Sequence, residues 1–381
     1  MNTDRILARA AANWCAIAPR INGAPQRWSD AFRARAIDHR AIASGTAGLW
    51  RVAWPGSGPP SSLVVKRITP ASGPAARWQT TTDPCDPFYW AREALAYESG
   101  FFGDERAGVR SARCYLIDRD DDGIDLYLED VAGEPGTAWT LETYAAAAQR
   151  LGRYQGAATE SPADIEWTRG PSFFDAYVAR RADLYADAQE LVRLPARYLE
   201  GEALRELGPS VHGLWQRRDT LLAYCAALPR TRCHNDFWSP NLFASEQPGA
   251  TIAIDLAYAG LGPLGHDPAN LAADAVLDFF VPAGDAQPLW DAITRGYRCG
   301  LSEGMSAGTV SAAEHVMVLT GALKFAWLIP ATFQVASTDE GIARIAEQHG
   351  DPAAFFRKRC AALRFIGTLV ERSLRLLDAI G

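Results

Sequence analysis

The segment His234-Asn235-Asp236-Phe237-Trp238-Ser239-Pro240-Asn241, followed by Thr251-Ile252-Ala253-Ile254-Asp255, constrains this chain more than any other. It reads His-x-Asp-x4-Asn, then an apolar strand that ends in a second aspartate fourteen residues after the asparagine. Phosphoryl transfer from a nucleotide needs one carboxylate to orient a hydroxyl and accept its proton. It also needs a second carboxylate and a neutral oxygen ligand to hold Mg2+ on the phosphates. Asp236 fits the first role, and Asn241 with Asp255 fits the second. An ordinary turn of Asp, Asn and Pro, or an aspartate capping a helix, accounts for the same residues without chemistry. The rest of the chain has to decide.

At 381 residues the chain suits two lobes or domains better than a single core, and 48% apolar residues supply the interior. A net charge of −7, from 45 acidic and 38 basic residues with no basic block, argues against a nucleic-acid or anionic-membrane partner. The first twenty residues carry Asp4, Arg5 and Arg9 within any apolar core, which is not a secretory signal. The most membrane-like stretch, 315–333, contains Lys324 and Pro330 and reads as a buried helix of the larger lobe. Seven scattered cysteines make no disulfide framework and fit a reducing cytoplasm. Cys225, Cys233 and His234 do not form a zinc spacing. The chain is expected to be cytoplasmic, and a monomer or a homodimer.

Only three of the 38 basic residues are lysines, namely Lys66, Lys324 and Lys358. Where arginine is the default cation, a lysine marks a place that calls for a compact ammonium. Lys358 sits in a basic run and reads as surface charge; Lys324, in an apolar helix, reads as snorkelling to the surface. Lys66 ends the strand-like Ser62-Leu63-Val64-Val65-Lys66.

Along the chain, residues 1–40 read as helical. Ser44-Gly45-Thr46-Ala47-Gly48 reads as a turn, leading into the alternating strand Leu49–Trp54 and then the lysine strand, which together suggest a hairpin. An amphipathic helix follows at 88–97, then two strands near 113–117 and 124–129. After Val131 the text is helical, with strands returning only around 241–256. This is an α+β plan with a small β-rich N-terminal lobe, 1–131 including its helical extension, and a larger mostly helical lobe, 132–381.

Two motifs mislead. Residues 118–129 match an EF-hand pattern, but both flanks read as strands, so an acidic hairpin turn is the better account. Gly260-Leu261-Gly262-Pro263-Leu264-Gly265 matches a dinucleotide fingerprint, yet no βαβ alternation follows and Pro263 lacks an N–H for phosphate. A mobile loop explains it better. Two other features gain meaning from context. Before a hairpin that ends in Lys66, the Ser44–Gly48 turn becomes a phosphate-covering loop, with Ser44, Gly45, Thr46 and Gly48 against the nucleotide. Glu93, preferred over Glu98, becomes the carboxylate that anchors Lys66.

The ordered set of Gly-rich turn, Lys66, Glu93, Glu129-Asp130, Asp236, Asn241 and Asp255 resembles the aminoglycoside phosphotransferase / choline kinase-like family of small-molecule kinases. The resemblance covers about residues 40–280. It implies a bilobal protein-kinase-like fold, ATP or GTP with Mg2+ as cofactors, and a small-molecule hydroxyl acceptor such as an amino sugar, an antibiotic or a related natural product. A choline- or sugar-type metabolite kinase and a non-catalytic nucleotide-binding protein are the alternatives on the same fold. By the same likeness Asp236 is the base, and backbone groups of Glu129 and Val131 face the adenine. His234 and Asp267 would then support the catalytic loop. Asn235 and Trp238 depart from the family pattern, since the latter stands where a basic residue often follows the catalytic aspartate. For the acceptor, Trp238, Asp274, Asp278, Glu303 and Trp327 are the candidates, with Glu314 and Trp290 behind them.

Overall fold

The computed structural model describes residues 2–38, 45–56, 60–70, 79–159, 165–199, 202–245 and 249–380. Five antiparallel strands form the first lobe's sheet: β1 (Arg33–Ala36), β2 (Thr46–Ala53), β3 (Ser62–Ile68), β4 (Cys114–Asp120) and β5 (Gly123–Glu129). Their order is β1-β2-β3-β5-β4. The expected hairpin is β2–β3, with Leu49 opposite Lys66. Period-two alternation gives this sheet two faces. On the outer one Trp50, Val52, Leu63 and Val65 pack with Ile6, Ala10 and Trp14 of helix α1 (Thr3–Ile17). On the inner one Ile68, Leu126 and Leu128 pack with Ala91 and Ala94 around helix α2 (Arg92–Glu98).

The expected helix over 1–40 ends at Ile17, because Pro19, Gly23 and Pro25 break it and the chain continues into β1. The expected turn at 44–48 is also shorter than it reads. Ser44 lies outside the described residues, Gly45 makes a turn, and Thr46–Gly48 already belong to β2, with a bulge between them. Gly48 has to be glycine, since a Cβ there would lie 2.2 Å from the Trp50 ring.

The acidic hairpin β4–β5 owes its order to arginine. Arg9 of α1 reaches Asp118 at 2.6 Å, Asp120 at 2.5 Å and the fully buried Asp125. Arg67 reaches Asp120 at 2.5 Å and Asp125 at 3.1 Å. Asp118 and Asp120 of the EF-hand pattern are therefore spent on fastening α1 to the sheet.

A second sheet flanks the segment 234–255. Thr251–Ala253 pairs antiparallel with Leu242–Ala244 and parallel with Val109–Ser111, so that residues from before position 131 lie beside strands from after it. A two-stranded ladder joins Arg230–Cys233 to Gly260–Pro263, with Gly260 opposite Cys233. Strands thus return earlier than position 241, and the Gly-x-Gly-x-x-Gly text is a strand where a mobile loop was expected. A Cβ on Gly262 would come within 3.0 Å of Cys233 Sγ, a closeness that explains the glycine. Between these ladders residues 234–241 are pinned at both ends.

The remainder is helical. Helices Leu141–Thr159 and Ala286–Leu301 meet backbone to backbone, a Cβ on Gly296 or Gly300 falling 2.1 or 2.0 Å from a carbonyl oxygen of the first helix. The apolar stretch 315–333 is divided between helices Ala307–Phe325 and Leu328–Ala336 and is mostly buried inside the protein.

Candidate active site

Lys66 is 4% exposed, and its ammonium touches Glu93 Oε2 at 2.6 Å and Asp255 Oδ1 at 2.8 Å. Strand β3 supplies the lysine and α2 the glutamate. Glu98, the competing anchor, pairs with Arg119 at 2.7 Å instead. Burial opposes the charge on Lys66, but Asp255 and Glu93 overcome it and raise its pKa above the ordinary lysine value. Burial likewise opposes ionised Asp255, and Lys66 holds it below the usual carboxylate range. Glu93 is pushed up to about 7 by burial despite Lys66. Next to it, Arg92 donates to the carbonyls of Ala259 (3.0 Å), Asp86 (2.8 Å) and Trp167 (3.3 Å), its guanidinium 5.0 Å from the Trp167 ring centre.

The segment after β5 is clamped by its side chains. Glu129 accepts two bonds from Arg110, at 2.6 and 2.8 Å, and one from the Arg113 N–H at 3.0 Å. Asp130 accepts from Arg51 at 2.6 and 2.9 Å and from Ser62 at 2.5 Å. Among the described residues the backbone N–H of Val131 makes no hydrogen bond to the protein, so it is left for another partner.

In the loop 234–241, Asn241 Nδ2 donates to Asp236 Oδ2 at 3.0 Å and to the Asp236 carbonyl at 3.1 Å. The Asn241 backbone carbonyl accepts the Ile254 N–H at 2.9 Å, and the side-chain oxygen Oδ1 is the atom that can face a cation. Burial raises the Asp236 carboxyl to about 6, against the pull of the Lys324 ammonium. Asp255 sits in the left-handed region at φ 63, and 39% of its side chain is exposed. Asn241 and Asp255 offer oxygen ligands alone, the set that a hard cation prefers. Among the described residues no three His, Cys, Asp or Glu side chains gather into a metal site of their own.

Beneath the loop, the buried Asp267 accepts the N–H groups of His234 and Asn235, both at 2.8 Å, and Gln155 Nε2 at 2.9 Å. His234 Nε2 lies 2.9 Å from the Ile254 carbonyl, tying the loop to the strand before Asp255. Burial lowers His234 to about 4, so the ring is neutral. Lys324 corrects the reading of a snorkelling side chain. It is 4% exposed, and its ammonium donates to the Asn235 carbonyl at 3.0 Å and to Asn270 Oδ1. Its apolar helix runs directly under the loop, and no route leads from there to the surface. The one hint in the sequence was a lysine in a chain that otherwise uses arginine.

The acceptor candidates divide. The Trp238 and Phe280 rings lie 6.4 Å apart, and Asp274 Oδ2 accepts from Asn270 at 2.8 Å. Burial raises the Asp274 carboxyl well above the usual range, and neighbouring Asp278 adds to the rise. Glu303 is not among them: both its oxygens bind Arg153 at 2.6 Å, on the side where Leu141–Thr159 meets the following helices. Trp327 is a core residue, its Nε1 donating to the Lys324 carbonyl at 2.9 Å. Trp290 and Glu314 line a separate cavity of about 340 Å3 with Thr294, His315 and Arg372. An acid or a tryptophan on a helix carries no mark of which neighbour it meets, and here helix packing chose a different one.

A family model of phosphotransferase enzymes matches residues 38–300. The chain belongs to this phosphotransferase enzyme family. No curated protein matches the phosphotransferase in sequence. Among solved structures, the choline kinase of Cryptosporidium parvum Iowa II is 12% identical and matches over 99% of this chain and 97% of that one, with a TM-score of 0.57. An amicoumacin kinase in complex with AMP-PNP, Ca2+ and Ami is 12% identical over 93% of this chain and 94% of that one, with a TM-score of 0.51. The phosphotransferase thus has the bilobal α+β fold of protein-kinase-like enzymes.

Proposed function

We propose that this phosphotransferase moves the γ-phosphoryl of ATP to a hydroxyl of a small molecule, with Asp236 as the base. The observation that carries this reading is the meeting of Lys66, Glu93 and Asp255 in one ion-paired group, with Asp236 and Asn241 hydrogen-bonded on the loop that leads to the Asp255 strand. In it, Lys66 contacts the α- and β-phosphates, held by Glu93. Gly45, Thr46 and Gly48 cover the phosphates, and the backbone groups of Glu129 and Val131 face the base. Asn241 and Asp255 fit Mg2+, which would neutralise phosphate charge. Asp236 orients the acceptor hydroxyl and takes its proton as the new O–P bond forms and the bond to ADP breaks. Much of the acceleration on this reading is positioning and fixed electrostatics.

The acceptor enters between the loop and helix His266–Leu277, toward Trp238, Asp274 and Asp278. Amino sugars, antibiotics and related natural products are the first class to screen, with choline-like alcohols and sugars second and GTP as the alternative donor. A binding protein without turnover is disfavoured by an intact Lys66, Asp236, Asn241 and Asp255 set. The test is phosphoryl transfer followed by 31P NMR over such a library. Asp236→Ala is expected to lose at least about a thousandfold in transfer while Mg-nucleotide affinity, measured by calorimetry, stays within about threefold. Full activity in that variant overturns the assignment.

A further inference from the structure

We propose that Lys324 is the positioning residue of the catalytic loop, its ammonium fixing the peptide that leads into Asp236; this rests on the reading of Asp236 as the base. Asn235 occupies the left-handed region at φ 64, which asparagine adopts more readily than other non-glycine residues, and its hydrogen bonds hold it there. Every polar group around that residue is held. Its N–H goes to Asp267 at 2.8 Å, its side-chain amide to the Tyr258 carbonyl at 2.8 Å, and its own carbonyl to Lys324 at 3.0 Å. That carbonyl belongs to the same peptide plane as the Asp236 N–H, so the cation sets the angle at which Asp236 leaves the loop.

Lys324 is itself fixed. Its ammonium also donates to Asn270 Oδ1, whose amide continues to Asp274. It lies 5.2, 5.4 and 5.7 Å from the ring centres of Phe173, Tyr177 and Phe325, an aromatic box for a desolvated cation. Among these rings a compact ammonium serves two acceptors, the Asn235 carbonyl and Asn270 Oδ1. The residue lies beyond the span 38–300 that matches the family, so it is contributed by the part of the chain that the family pattern does not describe. It also stands behind the loop in a chain that carries Trp238 in place of a basic residue after Asp236.

The experiment compares the native protein with Lys324→Met, and with Lys324→Gln if the first does not fold. Two readouts are taken: amide hydrogen exchange with Mg-ADP present, and kcat and KM for ATP with an acceptor from the library. The expected result is exchange at the His234 and Asn235 amides at least about tenfold faster while amides of Leu141–Thr159 are unchanged, because only the loop has lost its support. The kcat is expected to fall about ten- to a hundredfold with KM for ATP within about twofold, since the nucleotide side is untouched. In Lys324→Ala, ethylammonium chloride should restore part of kcat where equal sodium chloride does not. Unchanged loop exchange with kcat within twofold of native overturns the proposal. So does a uniform rise in exchange across the helical lobe, which marks a residue that merely stabilises. If the native protein transfers phosphoryl to no acceptor, the kinase reading fails, and the exchange comparison still decides what Lys324 holds.

Discussion

Lys66 and Lys324 are both 4% exposed and both stand among carboxylates, yet their environments push them in opposite directions. Lys66 touches two carboxylates directly, and its pKa rises above the ordinary value although burial works against it. Lys324 touches a peptide carbonyl and a side-chain amide, and burial lowers it even though Asp274, Asp236 and Asp267 attract it through space. Direct ion pairs compensate desolvation; neutral dipoles compensate only part of it. The difference separates two tasks. One lysine is built into a charge cluster with Glu93 and Asp255, and the other meets the backbone of the loop 234–241 from behind.

That contrast can be broken by experiment. The largest effect is expected for Lys66→Met, which leaves Glu93 and Asp255 without their cation. Stability in urea should fall by about 3–5 kcal/mol, and Mg-nucleotide affinity should fall with it. Lys324→Met leaves a carbonyl and an amide unsatisfied, so about 1–3 kcal/mol is expected, with nucleotide affinity kept. Equal losses in both measurements would erase the distinction. The smallest effect concerns His266, whose two ring nitrogens are buried without hydrogen-bond partners and whose pKa is driven well below 6.5 by burial, with Lys324 adding to it. A depressed folded pKa means that the proton binds only after unfolding. The contribution to stability is therefore complete above the unfolded value and is lost as pH falls through it, by about 0.8 kcal/mol at pH 6. Between urea midpoints at pH 7.5 and 6, the loss of stability should be smaller in His266→Phe than in the native protein by about this amount, the remaining pH dependence coming from groups such as His234, also lowered by burial, to about 4.

How much was legible in advance follows the same division. Lys66, Glu93, Asp236, Asn241 and Asp255 could be picked out because phosphoryl-transfer chemistry demands those residue types in that order, and the strand that presents Lys66 alternates at period two. The bilobal α+β plan followed from the same strands. Lys324 could not be read, since it reaches Asn235 from 89 residues along the chain and an apolar helix looks alike whether or not its one cation is used. Glu303 and Trp327 failed for the related reason that partners such as Arg153 are chosen by helix packing. The glycines at 260–265 were legible as something special. Gly262 lies against Cys233, and Gly265 turns at φ 95 with the Ala313 carbonyl beside it; spacing does not distinguish such packing from a phosphate turn.

Arg92 gives the site a further property. In protein kinases the helix bearing the lysine's glutamate is a moving part, and its position is what control acts upon. Here the residue before Glu93 is bolted to three carbonyls, two of them, at Trp167 and Ala259, on segments beyond position 131. Swinging α2 away would strand a buried guanidinium, so the Lys66–Glu93 pair stays assembled before any ligand arrives. The placement of Lys66 against Glu93 is thereby built into the fold itself.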